Sequence, residues 1–559
     1  MSSCVKDDVS CHYDDAVAAL YSPLHQSRTT EALKKAAARR TKTIEDMREY
    51  MKRISLTTLP SNVVHITGTK GKGSTACMCE AILRERYSQT TGLFSSPHLL
   101  DVRERIRVNG KPISQAVFGE AYWEVRRRLE AFNASDDEEL PILPGYFRML
   151  MLMALYVFGG YEPRIDVVIL EVGMGGRYDA TNILDMEGRN VVCGVTLLDL
   201  DHTRVLGNTL EQIAWEKGGI FQVRKGGSSE FVSKRPTDDL VICGSSMATA
   251  VNQGEDSFDC ARFFALDTNS SSVLSVLSNC AAIEGRGKKL YLISEGQSLP
   301  ANASLGLQGD HQRINAELAL ALCASLTKGM LYPPVDRGSS VMLGALESAS
   351  WPGRCQSVHM EADDGTTLNL RLDGAHTKKS LQACLKWFTS ISDVEAEEAH
   401  KVLIFNCSHE RNPVELLQLL VSSKQSSTRV FDAVFFCRAN FERPSMVGKS
   451  TAAELLQKCG ITWSANWTDE REGVVCTWQD TLADVWRHLE ASTGLEVPNT
   501  KVTANLNIHD ALGQIRRFRD HERIEILVTG SLYIVGSALE AVNWTEDAAP
   551  GKLMTSTAG

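Results

Sequence analysis

A chain of 559 residues is longer than one hydrophobic core usually serves, so its length predicts two or more domains. Apolar residues make up 43% and charged residues 23% of the sequence, a balance that argues against disordered, collagen-like and coiled-coil proteins. The formal net charge of -10 argues against a nucleic-acid-binding protein that relies on a broad basic face.

Neither a membrane span nor a disulfide framework is indicated. The strongest apolar run, 150–158, is shorter than the roughly 18 residues that a spanning helix needs. The fifteen cysteines lack paired CxxC spacing, which favours reduced thiols over a zinc site. The first residues are acidic and resemble neither a secretory signal nor a transit peptide. We therefore expect a cytoplasmic protein, with a mitochondrial form left open.

Helical and strand-like segments alternate in the first half of the chain. The pattern predicts a helix over 32–53, a strand over 61–67 and a helix that begins at Ser74. Further segments follow at 91–95, 116–133, 146–158, 166–171 and 191–198. Continuous apolar strands between helices predict a parallel sheet with helices on both faces.

The second half predicts a smaller α/β domain. Residues 224–309 contain clusters of Gly, Ser, Asp and Asn and no assignable motif. An alternating series then runs through 368–372, 378–391, 402–406, 430–436, 482–491 and 524–529. We expect a nucleotide-binding domain over 1–335, a linker over 336–350 and a second domain over 351–559.

The segment TGTKGKGST, 67–75, lies between a β-branched strand and a predicted helix. Its glycines would let backbone N–H groups close around phosphates, and Lys72 would meet the β- and γ-phosphate oxygens. The strict P-loop pattern is not obeyed, because Ile66 replaces the first glycine and Gly73 separates Lys72 from Ser74. The context still predicts a P-loop.

A P-loop nucleotide needs a metal ion, and Mg²⁺ prefers oxygen ligands. Glu171 ends the apolar strand DVVILE, where open α/β sheets bind ligands. Ser95 and Ser96 end another strand and could bring a hydroxyl group to the same edge.

Ten ordered segments resemble the folylpolyglutamate synthases, a family related to the Mur ligases. They are GTKGKGST (68–75), TGLFSSPHL (91–99), ERIRVNG (104–110), EVGMGGRYDATN (171–182), LDLDHTRVLGNT (198–209), IAWEKGGIF (213–221), GDHQRINA (309–316), WPGR (351–354), LDGAHT (372–377) and VTGSLYIVG (528–536). The resemblance implies a P-loop-containing, Mur-ligase-like domain followed by a smaller Rossmann-like α/β domain.

The same resemblance implies roles for individual residues. The implied catalytic residues are Lys72, Lys217 and His202. The implied ATP contacts are Lys70, Gly71, Lys72, Gly73, Ser74, Arg354 and Asp373. The implied metal ligands are Ser95, Glu171, His202 and Lys217. His376 and Ser531 resemble positions near the incoming glutamate, and Gln312, Arg313 and Asn315 resemble a nucleotide-side loop.

Two of these residues are unusual metal ligands. Mg²⁺ prefers oxygen to the imidazole nitrogen of His202. The ammonium form of Lys217 cannot bind a cation, so this residue either contacts a phosphate oxygen or becomes a carbamate with anionic oxygens. The sequence leaves both readings open.

The folate substrate is strongly anionic, so an acidic enzyme must offer local basic side chains. Arg103, Arg105 and Arg107 alternate and, if their segment is a strand, share one face. These arginines, Arg103 first, are candidate substrate contacts, although a solvated arginine face explains the spacing equally well.

The implied activity is ATP-dependent addition of L-glutamate to the γ-carboxylate of a folate through an acyl phosphate, a reaction of one-carbon metabolism. It uses Mg²⁺, with ATP as co-substrate and a monovalent cation as a further option, and we expect a monomer. Three alternatives stay open: a bifunctional dihydrofolate synthase, a P-loop switch without ligase activity, and a peptidoglycan Mur ligase.

Overall fold

The computed structural model describes residues 4–25, 39–56, 61–132, 140–184, 189–221, 261–285, 287–328, 340–361, 367–395, 399–409, 411–421, 430–440, 452–462, 477–492, 500–518, 523–546 and 553–554. The chain forms two compact units. Unit 1 comprises Met1–Gly306 and Gln312–Ser350, and unit 2 comprises Leu307–His311 and Trp351–Gly559.

Unit 1 is built on a sheet of eight described strands. In chain order these are β1 (Asn62–Thr67), β2 (Thr91–Phe94), β3 (Ile106–Val108), β4 (Lys111–Pro112), β5 (Val167–Glu171), β6 (Asn190–Val195), β7 (Ala261–Leu266) and β8 (Leu290–Ile293). Their spatial order is β4-β3-β2-β5-β1-β6-β7-β8. Six neighbouring strands pair in parallel, in the spatial order β2-β5-β1-β6-β7-β8. At the β2 edge, β3 and β4 add antiparallel strands.

Helices surround this sheet. Their bounds are Cys4–His25, Thr43–Arg53, Lys72–Ala81, Gln115–Ala131, Tyr146–Gly160, Thr203–Leu206, Leu210–Gly218, Ser271–Ile283, His311–Lys328 and Ser340–Ser348. A π-helical turn, Ile82–Arg86, continues the helix Lys72–Ala81. The central strand β1 is covered on both faces, because every residue from Val63 to Thr67 is buried. Such burial explains its run of β-branched residues.

Unit 2 contains a second sheet of seven described strands. They are β9 (Gln356–Glu361), β10 (Thr367–Leu372), β11 (His400–Phe405), β12 (Ala433–Cys437), β13 (Lys501–Leu506), β14 (Arg523–Thr529) and β15 (Leu553–Met554). The spatial order is β13-β12-β11-β14-β10-β9-β15, and only the pairing of β9 with β10 is antiparallel among these described strands.

The helices of unit 2 lie between its strands in the sequence. They are Lys378–Glu395, Pro413–Val421, Ala452–Lys458, Trp478–Ala491, Ile508–Ile515 and Leu532–Ala541. Phe388, Phe405, Phe436 and Trp486 fill the core on one side of the sheet. Across the described residues of both units, every helix is too short or too polar to cross a membrane.

The α/β class predicted from the sequence is confirmed, with differences in detail. The helix Lys72–Ala81 begins two residues before the predicted start at Ser74. The predicted helix over 32–53 is described from residue 39 and is α-helical only over Thr43–Arg53, while 32–38 lie outside the described residues. Residues 261–293, to which no motif was assigned, extend the first sheet. The segment predicted as a linker contains the helix Ser340–Ser348.

Candidate active site

The glycine-rich turn after β1 has the backbone geometry of a ligand-binding loop. A Cβ atom on Gly68 would lie 1.7 Å from Thr196 Oγ1, so the neighbouring strand leaves room only for glycine. Gly71 has φ of +91°, a left-handed conformation that L side chains rarely adopt. The N–H groups of Thr69 and Lys70 both donate to Leu197 O at 3.0 Å, which ties the turn to the segment after β6.

Lys72 is the first residue of the helix that follows this turn, and no side chain caps that helix end. The first N–H groups of an uncapped helix, with the positive end of its dipole, favour an anion. Ser74 and Thr75 are buried in the first turn of this helix. Thr75 Oγ1 is buried and has no hydrogen-bond partner among the described residues.

The ends of β2 and β5 meet beside this turn. Glu171 is 3% exposed, and one of its carboxylate oxygens accepts a hydrogen bond from Ser96 N at 3.1 Å. Ser95 is also buried, and its hydroxyl group donates to Glu104 O at 3.4 Å. Ser95 and Glu171 therefore occupy neighbouring strand ends, as the sequence predicted.

The segment after β5 packs against the P-loop. Thr67 Oγ1 donates to Gly175 O at 2.6 Å. Asp179 accepts from Met174 N at 3.0 Å and from the hydroxyl group of Thr181 at 2.7 Å. These bonds hold the glycines of this segment beside the turn, a role for Asp179 and Thr181 that sequence reasoning missed.

Lys217 lies at the same place, although it is distant in sequence. It is 3% exposed, and its Nζ donates to Gly68 O at 2.7 Å. Burial, together with the nearby positive charge of Lys72, lowers the pKa of Lys217 to about 7. A substantial fraction of neutral amine is therefore present near neutral pH.

His202 sits differently from the other predicted metal ligands. It is exposed, has φ of +50° and precedes the short helix Thr203–Leu206. Its backbone N–H donates to Asp201 Oδ1 at 2.9 Å, while Asp201 Oδ2 lies 3.8 Å from Lys70 Nζ. The chain thus brings His202 to the edge of the site without burying its imidazole.

The nucleotide-side loop predicted from the sequence divides into two groups. Asn315 Oδ1 would be 2.4 Å from a Cβ atom on Gly71, and its amide group donates to Gln312 Oε1 at 2.9 Å. Gln312 and Asn315 therefore lie beside the P-loop. Arg313 instead donates to the carbonyl oxygens of Pro300 and Ala303, so its guanidinium group stabilises a different segment.

Unit 2 has its own cluster of predicted residues where β10 and β14 end. Asp373 N donates to Val528 O at 3.1 Å, and Asp373 Oδ2 accepts from Cys355 N at 2.9 Å. Arg354 Nη1 would be 3.3 Å from a Cβ atom on Gly374. The structure brings Arg354 and Asp373 together.

The two predicted glutamate-side residues flank the same strand ends. His376 Nδ1–H donates a hydrogen bond to Gly374 O at 2.8 Å. Ser531 caps the helix Leu532–Ala541 by accepting from Ile534 N at 3.3 Å. Gly530 N donates to Ala375 O at 2.9 Å, so the segments that contain His376 and Ser531 are in contact.

The expected strand face of three arginines is wrong. Arg103 and Arg105 belong to a 3₁₀ turn, Val102–Arg105, and only Arg107 lies in β3. Arg103 is neutralised by a two-pronged ion pair with Asp101, and Arg107 donates to the carbonyl oxygens of Glu104 and Gly110. In a strand, side chains at alternate positions share one face, but the 3₁₀ turn Val102–Arg105 breaks this arrangement. Arg103, the first substrate candidate, is thus occupied by its own neighbour.

Known proteins similar to this chain span most of its length. The sequence matches no family model. It is 32% identical over 601 residues to the human mitochondrial folylpolyglutamate synthase, covering 96% of this chain and 92% of that protein. It is 36% identical to the mitochondrial enzyme of Bos taurus, covering 78% of this chain and 69% of that protein, and 32% identical to the Saccharomyces cerevisiae enzyme, covering 94% and 86%.

Solved structures show the same fold. Folylpolyglutamate synthase from Thermotoga maritima has a TM-score of 0.59 at 21% identity, covering 95% of this chain and 96% of its own. The Mycobacterium tuberculosis enzyme, complexed with ADP and AMPPCP, has a TM-score of 0.60 at 21% identity, covering 91% and 96%. With more than 30% identity to curated relatives over nearly its whole length, the chain belongs to the folylpolyglutamate synthase family.

Proposed function

We propose that this protein is an ATP-dependent ligase that adds L-glutamate to the γ-carboxylate of a folate. The observation that carries the proposal is the near full-length similarity to folylpolyglutamate synthases, together with a P-loop at the end of β1. The product is a folate with a polyglutamate tail, the cellular form used in one-carbon metabolism.

The reaction needs activation because a carboxylate is a poor electrophile. A γ-carboxylate oxygen of the folate attacks the γ-phosphorus of ATP, the bond to the β-phosphate oxygen breaks, and ADP leaves. The uncharged amine of glutamate then attacks the acyl carbon of the acyl phosphate. Phosphate leaves with the electron pair of the broken C–O bond, and the nitrogen loses a proton. No protein nucleophile is required.

Lys72 and the helix end at Gly71 supply positive potential where phosphoryl charge develops. A fixed cation in a partly dry site stabilises this charge more than water does, because it needs no reorganisation during the step. We propose Lys70, Gly71, Lys72, Gly73 and Ser74 as the ATP contacts of unit 1. Gln312 and Asn315 support this assignment because they lie beside Gly71.

The donor set beside the P-loop fits a hard divalent cation. Ser95 and Glu171 offer oxygen atoms at adjacent strand ends, which are the ligand type that Mg²⁺ prefers. A related Yersinia pestis enzyme has been solved with AMPPNP and a Mn ion, which supports the use of nucleotide and divalent metal. We propose Mg²⁺, which when bound neutralises phosphate charge, and assign no residue to a monovalent cation.

Two of the proposed metal ligands, Lys217 and His202, have nitrogen and not oxygen as the polar atom of the side chain. Lys217 has a pKa of about 7 and is buried, which favours conversion of its neutral amine into a carbamate with anionic oxygens. A direct contact between its ammonium form and a phosphate is the alternative. His202 completes the proposed set at the exposed edge, where its imidazole would be an unusual ligand for Mg²⁺.

We assign the remaining roles to unit 2. Arg354 and Asp373 are proposed to contact ATP, and His376 and Ser531 to lie near the incoming glutamate. The contacts among 354–355, 373–376 and 530–531 support a common function for these residues. We propose a monomer in the cytoplasm with a further mitochondrial form, since the cattle and human relatives carry the mitochondrial designation.

One assay tests the proposal. The purified protein is incubated with ATP, Mg²⁺, labelled glutamate and tetrahydrofolate, and the products are separated by chain length. We expect ADP release that requires both folate and glutamate, with longer glutamate tails in the product. ADP release without glutamate would contradict ligation and favour a P-loop switch. Replacing folate by dihydropteroate tests the bifunctional alternative, which a relative from Yersinia pestis combines in one protein.

A further inference from the structure

Arg105 is a buried cation without a counter-ion. Arg105 is 8% exposed and is the last residue of the turn Val102–Arg105. Its Nε donates to His98 Nδ1 at 2.8 Å, and its guanidinium carbon lies 5.4 Å from the ring centre of Tyr146. Within the described parts of the chain, no carboxylate pairs with it, and neither of its terminal nitrogens donates a hydrogen bond.

The nearest acidic residues in sequence are already occupied. Asp101 binds the guanidinium group of Arg103 and accepts from Tyr13 OH at 2.9 Å. Glu104 accepts hydrogen bonds from the backbone N–H groups of residues 99–101. The positive charge of Arg105 is therefore not cancelled by its own turn.

Half-buried aromatic side chains lie beside the guanidinium group of Arg105. Tyr21 and Tyr146 stack with ring centres 5.3 Å apart, and Tyr21 OH lies 3.2 Å from His98 Nε2. All three of these residues are only half-buried. Because His98 Nδ1 accepts from Arg105, its Nε2 carries the proton. The imidazole is neutral, since burial and the charge of Arg105 lower the pKa of His98 to about 3.

A buried, uncompensated charge costs free energy unless a partner supplies the opposite charge. The planar guanidinium fork matches a carboxylate, which can accept two parallel hydrogen bonds. Arg105 O accepts from Ser95 N at 3.0 Å, and Ser96 N donates to Glu171, so the arginine adjoins the strand ends where the folate carboxylate must be activated.

We propose that Arg105 binds the α-carboxylate of the folate's terminal glutamate and so orients the neighbouring γ-carboxylate for phosphorylation. The inference rests on the proposed function of the same site. Of the three arginines at 103, 105 and 107, the proposal selects Arg105. The guanidinium groups of Arg103 and Arg107 bind acceptors within the protein, whereas the terminal nitrogens of Arg105 donate no hydrogen bond among the described residues.

The test compares folate with pteroate, which lacks the glutamate and hence the α-carboxylate. Equilibrium binding by fluorescence quenching needs no turnover, and the variant is Arg105→Met. We expect Arg105→Met to bind folate about 10- to 100-fold more weakly than the wild type, which is the range for the loss of a pair of hydrogen bonds to a charged group. Pteroate binding and the KM for ATP should stay unchanged. Arg127→Met, at a side chain that is 67% exposed, is the matched control and should bind both ligands normally.

Thermal unfolding separates binding from a structural role. Without folate, Arg105→Met should unfold at the same or a higher temperature than the wild type, because it removes a buried charge. Added folate should then stabilise the wild type more than the variant. Equal losses of folate and pteroate binding, or normal folate binding by Arg105→Met, would overturn the proposal. If Arg105→Met fails to fold, Arg105→Lys applies the same comparison with the charge kept and the fork removed.

Failure of the proposed function would look different. A wild-type protein that forms no glutamylated product and binds no folate would refute the ligase assignment itself. A wild type that glutamylates folate while Arg105→Met and Arg105→Lys keep the full preference for folate over pteroate would refute only the role of Arg105.

Discussion

Lys217 Nζ donates a hydrogen bond of 2.7 Å to the carbonyl oxygen of Gly68, the first glycine of the P-loop turn. The helix Leu210–Gly218 thereby fixes a lysine amine beside the glycine-rich turn that follows β1. Burial lowers the pKa of this amine to about 7, which supplies the neutral form that reacts with carbon dioxide. A neutral amine is one requirement for a carbamate, and the buried position of Lys217 satisfies it. The other requirement is reaction of this amine with carbon dioxide, which the variants of Lys217 test.

Lys217→Ala should be inactive and should recover partly when short-chain carboxylic acids are added. The acid would return an oxygen anion to the space that the side chain leaves. Activity with and without acetate, together with intact-protein mass in bicarbonate, measures this. We expect the wild type alone to gain the mass of carbon dioxide.

Lys217→Arg is the companion variant. The guanidinium group keeps its positive charge and fills the space, so acetate should restore nothing. An active Lys217→Arg enzyme would show that a plain cation suffices, and the carbamate would then be abandoned in favour of a phosphate contact.

Lys72→Ala should lower turnover by about 10²-fold or more, because it removes a cation from the point where phosphoryl charge develops. Folding should persist, since Lys72 is only half-buried at the helix end. Circular dichroism and steady-state ADP release measure the two effects. Lys52→Ala, at a side chain that is 79% exposed, is the control, and near wild-type turnover in Lys72→Ala would refute the P-loop assignment.

Glu171→Gln should raise the magnesium concentration needed for half-maximal activity and lower turnover, since an amide oxygen carries no full charge. The amide retains an oxygen that can accept from Ser96 N, so the local backbone should stay in place. A magnesium titration at saturating ATP and folate measures the change. An unchanged requirement and rate would remove Glu171 from the metal site.

Much of the first half of the site was predictable, because local patterns determine it. A β-branched strand, glycines and a following helix locate the P-loop, and an acid at the end of an apolar strand locates Glu171. The exact helix start was not predictable, because it depends on the left-handed φ of Gly71 and not on residue type. The strands at 261–266 and 290–293 were missed because polar clusters interrupt the surrounding pattern.

Long-range contacts explain the remaining differences. Lys217 and Gly68 are 149 residues apart, so no local pattern indicates their hydrogen bond. The three arginines were grouped by alternation, but the 3₁₀ turn and the partners of each guanidinium group decide which one is available. A missing counter-ion can be recognised only when all neighbours are known.

His65 predicts a pH dependence of stability. It is fully buried in β1, its Nε2 lies 2.9 Å from Thr181 Oγ1, and burial lowers its pKa from 6.5 to about 3. Between these values the unfolded chain binds a proton that the folded chain does not, so acidification destabilises the fold. The free energy of unfolding should fall by about 1.4 kcal/mol per pH unit from this residue below pH 6.

Urea unfolding at pH 7, 6, 5 and 4 tests this expectation against His65→Gln. The glutamine can still donate toward Thr181 but does not titrate, so its stability should fall less steeply with acidification. Parallel curves for the two proteins would show that His65 is protonated in the folded state and would contradict the burial argument.

Cys355 controls the orientation of Asp373 in unit 2. Both its backbone N–H and its thiol donate to Asp373 Oδ2, at 2.9 and 3.4 Å, which leaves Oδ1 without a hydrogen bond among the described residues. Cys355 has φ of +46°, a conformation that costs a non-glycine residue about 1 kcal/mol or more. Strain at a residue that holds a carboxylate indicates that the position of this carboxylate matters.

Cys355→Ala should therefore raise the KM for ATP by about 3- to 10-fold, the effect of losing one weak donor to a charged acceptor, with the KM for glutamate unchanged. Cys355→Ser keeps a donor at the same backbone position and should restore the KM for ATP toward the wild-type value. Both substitutions keep a side chain at the strained φ, so their difference isolates the thiol hydrogen bond from the backbone cost. Equal KM values for ATP in the two variants would mean that the backbone N–H alone orients Asp373, and the thiol would then have no part in nucleotide binding.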